Sequence, residues 1–194
     1  MDNILHIFFS KESLTTFKNS TLKGETLLFE EKLTEGIVTT DIFSDSFWSK
    51  RYEHFENTYQ VSRIAYFDSR VKPILQLEEH EDYTDIVLWL DYTKESQVNL
   101  IALGAFLTEC FSKKTTYHLV CSGKHKGRKE LQKLTNYSAE EYAILFNYKV
   151  KITLPNLEYL KKCWQAYVIK NDEFLFNEFT NKFRYLEQLK KPQL

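Results

Sequence analysis

Cysteine, proline and glycine are all scarce in this chain of 194 residues, which has three, three and five of them. Cys110, Cys121 and Cys163 lie among apolar residues without metal-site spacing, so we interpret them as small core residues rather than ligands or nucleophiles. Few glycines and prolines indicate few tight turns. The net charge of −1 argues against general binding to nucleic acid or membranes, both of which favour excess positive charge.

Long apolar runs are also missing, and none approaches the roughly 18 residues expected of a membrane-spanning helix. The first ten residues, MDNILHIFFS, show neither the basic segment nor the cleavage-like site of a signal peptide. We therefore expect a soluble, cytoplasmic protein with no membrane contact.

Aromatic residues, in contrast, are abundant, with 15 Phe, 12 Tyr and 3 Trp. This composition predicts a core filled largely by rings. A chain of this length should bury roughly 70% of its unfolded surface, enough for a full core.

The stretch from Asp85 to Phe111, DIVLWLDYTKESQVNLIALGAFLTECF, organises the chain. The apolar run Ile86–Leu90 predicts a buried strand, and apolar residues at helical spacing from Val98 to Cys110 predict a packed helix. Residues 117–121 predict the next strand. Together they form a strand–helix–strand unit.

Two earlier runs, Ile4–Phe9 and Glu25–Glu30, predict strands on either side of a short helix. Ser44, Asp45 and Ser46 could cap a second helix. A further helical pattern spans residues 64–75, where Pro73 should kink the helix or mark a new start.

Residues from 133 onward are predicted to be helical. A capping box opens one helix at Ser138, Pro155 opens another, and a third follows Asp172. The apolar face of this third helix consists of Phe176, Phe179, Phe183 and Leu186. We therefore predict an α/β fold with a small, mostly parallel sheet of about four strands and helices on both faces. The predicted units are residues 1–122 and a helical C-terminal region, 133–194, packed on them.

Familiar catalytic and phosphate-binding signatures are absent, including GxGxxG, GxxxxGK[ST], GxSxG, HExxH and CxxC. His6 and His118 fall inside predicted strands, which favours hydrogen-bonded core histidines, although neighbouring strands would let them meet. The residues assign no catalytic group, no metal and no cofactor.

Polar residues nevertheless gather after three predicted strands. The carboxyl ends of parallel strands share one edge of a sheet, where ligands usually bind. Carboxylates, amides and a lysine there could hold a small polar ligand or a hydrated cation, and the following helix start could also hold an anion. The alternative is structural, with Trp48 and Arg51 packing and pairing with an acid. The candidate residues are Ser10, Lys11, Glu31, Arg51, Asp91, Gln97 and Asn99.

Short motifs in order resemble the bacterial family called domain of unknown function 1835. They are Leu5-His6-Ile7, then Gly24-Glu25 through Glu31, Leu33 and Gly36, then Trp48 with Arg51, and finally Leu88-Trp89 through Gln97. Residues 137–164 are similar to the helical segment that often accompanies this family. The resemblance implies no particular reaction.

The chain departs from the family pattern at its presumed functional edge. Ser10-Lys11 stands where the family has Gly-Asp, and Gly36-Ile37 where it has Gly-Pro. Asp91 replaces a glutamate, and Thr93 replaces an acid. The resemblance therefore implies an altered or inactive member if the family is enzymatic.

Two functions are open at this point. The first is a binding or hydrolytic α/β protein that uses the strand edge, and the second is a non-catalytic protein interaction module. Nucleic-acid binding through the lysine-rich residues 124–133 is disfavoured, since such loops are usually only solvated.

Overall fold

A computed structural model describes residues 3–75, 77, 82–122, 133–171 and 173–175 of the protein. Its sheet has five strands in the order β2-β1-β3-β4-β5. The first four are parallel, and the last runs antiparallel to its neighbour. The strands are β1 (Ile4–Phe8), β2 (Glu25–Leu28), β3 (Asp85–Leu90), β4 (Thr116–Cys121) and β5 (Val150–Ile152).

Helices surround this sheet, and most begin at a serine or threonine whose side chain accepts from the backbone of the first turn. A π-helix spans Phe67–Val71, and a 3₁₀ turn spans Leu134–Asn136. The α-helices are α1 (Lys11–Lys18), α2 (Asp45–Tyr59), α3 (Arg63–Tyr66), α4 (Lys72–Leu75), α5 (Lys94–Glu109), α6 (Ala139–Asn147) and α7 (Leu154–Val168).

The predicted α/β architecture is confirmed, with one added strand. All four predicted strands are present, and the strand–helix–strand unit of β3, α5 and β4 is as expected. The C-terminal region also contributes β5, which its short, lysine-interrupted sequence did not suggest. Residues 173–175 are helical, but the rest of the third predicted C-terminal helix lies outside the described residues.

Each face of the sheet packs against its own hydrophobic cluster. Helices α1 and α6 cover one face around Trp89, and α2, α5 and α7 cover the other around Leu88. Strand β3 is buried on both faces, which explains why its sequence is continuously apolar rather than alternating. Helix α7 approaches α5 so closely that a Cβ on Gly104 would lie 2.6 Å from Leu160.

The connections make the sheet doubly wound. The chain leaves β1 for β2 through α1 on one face, then passes to β3 and on to β4 through helices on the opposite face. Right-handed crossovers require this exchange of faces, because the order of the strands reverses beside β1. The carboxyl ends of β1 and β3 therefore diverge into loops on opposite faces and leave a crevice between them.

The segment from residue 63 to 75 differs from a regular amphipathic helix. Ile64, Phe67 and Leu75 are 76%, 46% and 43% exposed instead of forming a buried stripe. The π-helix interrupts the segment just before Pro73, which lacks the N–H that a continuing helix would need. Across the residues that the structure describes, no helix is long and apolar enough to cross a membrane.

Candidate functional site

A pocket of about 330 Å³ opens at the carboxyl ends of β1 and β3, and we call it the switch-point pocket. It lies where the strand order reverses, in the crevice expected from the topology. Its apolar lining comes from Phe9, Trp89 and Leu134. Its polar lining includes Ser10, Ser13, Glu31, Asp91, Ser96 and Asn99.

Ser10 reaches the pocket because it lies between the end of β1 and the start of α1, which it caps. Its hydroxyl accepts from the backbone N–H of Ser13 at 3.2 Å and lies 2.8 Å from the Ser13 hydroxyl. The cap fixes the orientation of Ser10, and Ser13 joins the site on the next turn. Lys11 is exposed and does not line the pocket.

Asp91 is the residue directly after β3, as the sequence predicted. Its carboxylate accepts from the N–H of Tyr92 at 2.8 Å, and its own N–H donates to the Ser96 hydroxyl at 3.0 Å. Burial raises the pKa of the Asp91 carboxyl, and the hydrogen bond from Tyr92 only partly opposes that effect. The half-buried carboxyl is thus more easily protonated than an exposed aspartate.

Asn99 lies deeper in the pocket and is only 2% exposed. Its Nδ2 faces the carbonyl oxygen of Phe29 at 3.5 Å. Its Oδ1 is buried without a hydrogen-bond partner among the described residues. Gln97, on the same helix, is buried outside the pocket lining and donates to the carbonyl of Tyr92 at 3.3 Å.

Glu31 and Arg51 form a second polar cluster, which we call the Arg51 clamp. Arg51 is fully buried, and its Nε donates to Glu31 Oε1 at 2.8 Å. Its other two nitrogens donate to the carbonyls of Lys32 and Glu35. Burial raises the pKa of Glu31, and the positive charge of Arg51 opposes that shift. The structural alternative for Arg51, pairing with an acid, is what the structure shows.

Two of the seven candidates therefore sit apart from the pocket in the closed interior, and one sits on the surface. Arg51 and Gln97 do not line it, and Lys11 is exposed. The structure brings together the other four: Ser10, Glu31, Asp91 and Asn99.

Sequence reasoning missed several residues of the pocket. Ser96 stands three residues after the cap Thr93, a spacing that could have revealed it. Lys133, Leu134 and Thr135 also line the pocket. Their position depends on the return of the chain after β4, and no local pattern marks it.

The two strand histidines are not part of this site. His6 is buried, accepts at Nδ1 from the indole N–H of Trp89 at 3.1 Å and lies 3.2 Å at Nε2 from the Lys23 carbonyl. The core interpretation of His6 is confirmed. His118 lies 3.0 Å from Asp85, and β3 separates the two histidines because His6 and His118 both pair with Val87.

No described part of the chain gathers three or more histidine, cysteine, aspartate or glutamate side chains in a metal-binding arrangement. Cys163 is buried as predicted, and Cys110 and Cys121 are half-buried. The side chains that line the pocket are therefore described by their hydrogen-bonding groups and carboxylates.

Comparison of the chain with protein-family models, with curated proteins and with solved structures finds no match. The resemblance to domain of unknown function 1835 accordingly stays a prediction from the motifs.

Proposed function

We propose that the protein binds a small polar ligand in the switch-point pocket. The supporting observation is the position of the pocket at the reversal of strand order, between β1 and β3. Sheets of this type place ligands outside the carboxyl ends of the strands at this point. The volume of about 330 Å³ falls near the lower end of the usual range for small-molecule sites.

The lining favours binding over hydrolysis. Ser10 and Ser13 hydrogen-bond to one another, and neither has a histidine partner among the described residues. A serine nucleophile needs an adjacent base within hydrogen-bond reach. The pocket lining supplies several hydroxyls, several carboxyls and the amide of Asn99, which can orient a ligand, and we assign no reaction to it.

The experiment is a thermal-shift and calorimetric screen of nucleosides, sugars, sugar phosphates, amines and divalent ions. We expect at least one class to bind, and Asp91→Asn to weaken that binding by about tenfold or more, as loss of a charged hydrogen bond implies. Asp41→Asn is the matched control, because Asp41 is exposed and does not line the pocket. Binding that is equal in both variants would remove the pocket as the site.

A second candidate function is protein interaction through the segment from residue 63 to 75. The exposed side chains of Ile64, Phe67 and Leu75 favour it, since adjacent exposed apolar residues often mark an interface. Purification from native lysate should retain a partner on the unmodified protein and lose it on Phe67→Asp. A clean monomer with no partner would contradict this function.

On the basis of its sequence, we also propose that the protein is cytoplasmic and that it belongs to the family called domain of unknown function 1835. Fractionation of cells expressing the tagged protein tests the first.

A further inference from the structure

We infer that the ligand of the switch-point pocket carries a protonated amino group, which binds against the inner wall. This inference rests on the proposed function and adds the chemical class of the ligand. It depends on three observations: the acceptor character of the inner wall, buried acceptors without a hydrogen-bond partner among the described residues, and the position of the nearest lysines.

The buried lining residues of the pocket present mainly oxygen acceptors. Asn99 and Glu31 are each 2% exposed, and Asp91 stands beside them. No lysine or arginine is among the buried residues that line the pocket in the described part of the chain. A phosphate or carboxylate placed there would face acceptors and a like charge, which is unfavourable.

Asn99 supplies one of these acceptors, and Oε2 of Glu31 is another. The carbonyl of Phe29 can only accept, so the amide of Asn99 must turn its Nδ2 toward Phe29 and its Oδ1 away. That Oδ1 is buried and has no hydrogen-bond partner among the described residues. An unsatisfied buried acceptor is costly, and a ligand N–H would satisfy it.

The lysines that line the pocket offset the negative charge of this wall only at Asp91, whose pKa rise on burial is opposed by the charge of Lys133. Lys32 directs its ammonium to the hydroxyl of Tyr59 at 2.9 Å, and Lys133 is exposed at the mouth. Residues 123–132 lie outside the described residues and take no part in this inference.

The starts of α1 and α5 do not reverse this preference. Their caps, Ser10 and Thr93, already accept from the N–H groups of Ser13 and Ser96. Part of the donor capacity that would attract an anion is therefore used within the protein. An ammonium group, with three N–H donors, matches the oxygen-rich inner wall better.

The experiment uses matched probes on the full chain. Three carbon skeletons (butyl, cyclohexyl and benzyl) are each tested as the amine, the alcohol and the carboxylate by ligand-observed NMR and calorimetry. We expect the amine to bind about tenfold more tightly than the alcohol on at least one skeleton, with the carboxylate weakest. An alcohol or carboxylate that binds at the pocket as tightly as its amine would overturn this inference and leave the proposed function standing.

Two variants show whether the amine binds at the inner wall. Asn99→Leu removes the free acceptor and should abolish the preference for the amine over the alcohol. Asp91→Asn should reduce amine affinity about tenfold and alcohol affinity much less. If Asn99→Leu does not fold, as judged by circular dichroism, Asp91→Asn alone decides. An amine preference that survives in the folded variants would overturn the inference. Absence of binding by all nine probes would contradict the inference, while binding of another class in the wider screen would preserve the proposed function.

Discussion

The switch-point pocket and the Arg51 clamp both contain polar residues that follow strands of the same sheet, yet they differ in how those residues are satisfied. In the clamp, all three nitrogens of Arg51 donate to protein oxygens and the pair with Glu31 is closed from solvent, although Glu31 Oε2 has no hydrogen-bond partner among the described residues. In the pocket, Asn99 Oδ1 has no hydrogen-bond partner in the part of the chain that the structure describes, and Asp91 is only half-buried.

This difference indicates that the Arg51 clamp holds a loop in place, whereas the switch-point pocket is suited to bind a ligand. Arg51 joins α2 to the backbone after β2 through Glu31, Lys32 and Glu35, so its hydrogen bonds fix the chain where it leaves the sheet. The pocket has unused hydrogen-bonding capacity. The following predictions test whether the two clusters are as distinct as their contacts indicate, from the largest expected effect to the smallest.

Replacing Arg51 by Met should lower the free energy of unfolding by about 3–5 kcal/mol, because it leaves the Glu31 carboxyl buried without its positive partner. Denaturant titration measures this change. The double variant Arg51→Met with Glu31→Gln should recover part of the loss, since the uncompensated charge is then gone. A small stability change in Arg51→Met, coupled with loss of ligand binding, would assign Arg51 to the pocket instead.

Stability should also depend on pH through His6, which is buried in contact with Trp89 and the Lys23 carbonyl. Burial lowers its pKa to about 4 from an ordinary value of 6.5, so the unfolded chain takes up this proton first. Stability should therefore be complete above pH 6.5 and be lost as the pH falls toward 4, by about 3 kcal/mol in total. Urea titrations at several pH values measure it.

Carboxylates also titrate between pH 6.5 and 4, so a His6 variant is needed to separate the contribution of His6 from theirs. His6→Gln should flatten the pH dependence of stability between pH 6.5 and 4. His118→Gln is the matched control and should flatten it less, because His118 is only half-buried. Equal slopes in the unmodified protein and His6→Gln would show that His6 is not the titrating group.

Asp91→Asn should leave the free energy of unfolding at pH 7 unchanged or raise it by up to about 1 kcal/mol. The reason is that burial raises the pKa of Asp91 in the folded state, so its ionised form costs stability at neutral pH. Asparagine can still accept from the N–H of Tyr92. A loss above about 2 kcal/mol would instead make Asp91 a structural brace like Glu31.

Lys11→Ala should have the smallest effect, within about 0.5 kcal/mol on stability, because Lys11 is exposed at the start of α1. Ligand binding should be unchanged, as the side chain does not line the pocket. Thermal melts and the ligand screen measure both quantities. A marked loss of binding would return Lys11 to the candidate site.

Local sequence patterns predicted most of the elements. The apolar runs of β1 and β3 and the caps Ser44 and Ser138 carried enough information, because burial periodicity and first-turn hydrogen bonds depend on neighbours in the sequence. The edge of the sheet that holds the candidate residues followed from the same patterns, since parallel strands end together.

Strand order and side-chain partners depended on contacts between distant parts of the chain. The run of residues 64–75 had helical spacing, but Ile64, Phe67 and Leu75 are exposed while Ile74 is buried. Strand β5 joins the sheet by pairing with β4. Arg51 and Asn99 were indistinguishable as polar candidates in the sequence. Packing gave each nitrogen of Arg51 an oxygen of residues 31–35 as acceptor, and left Asn99 Oδ1 buried without a hydrogen-bond partner among the described residues. Satisfaction of a buried polar group is a property of its three-dimensional surroundings, which the sequence does not display.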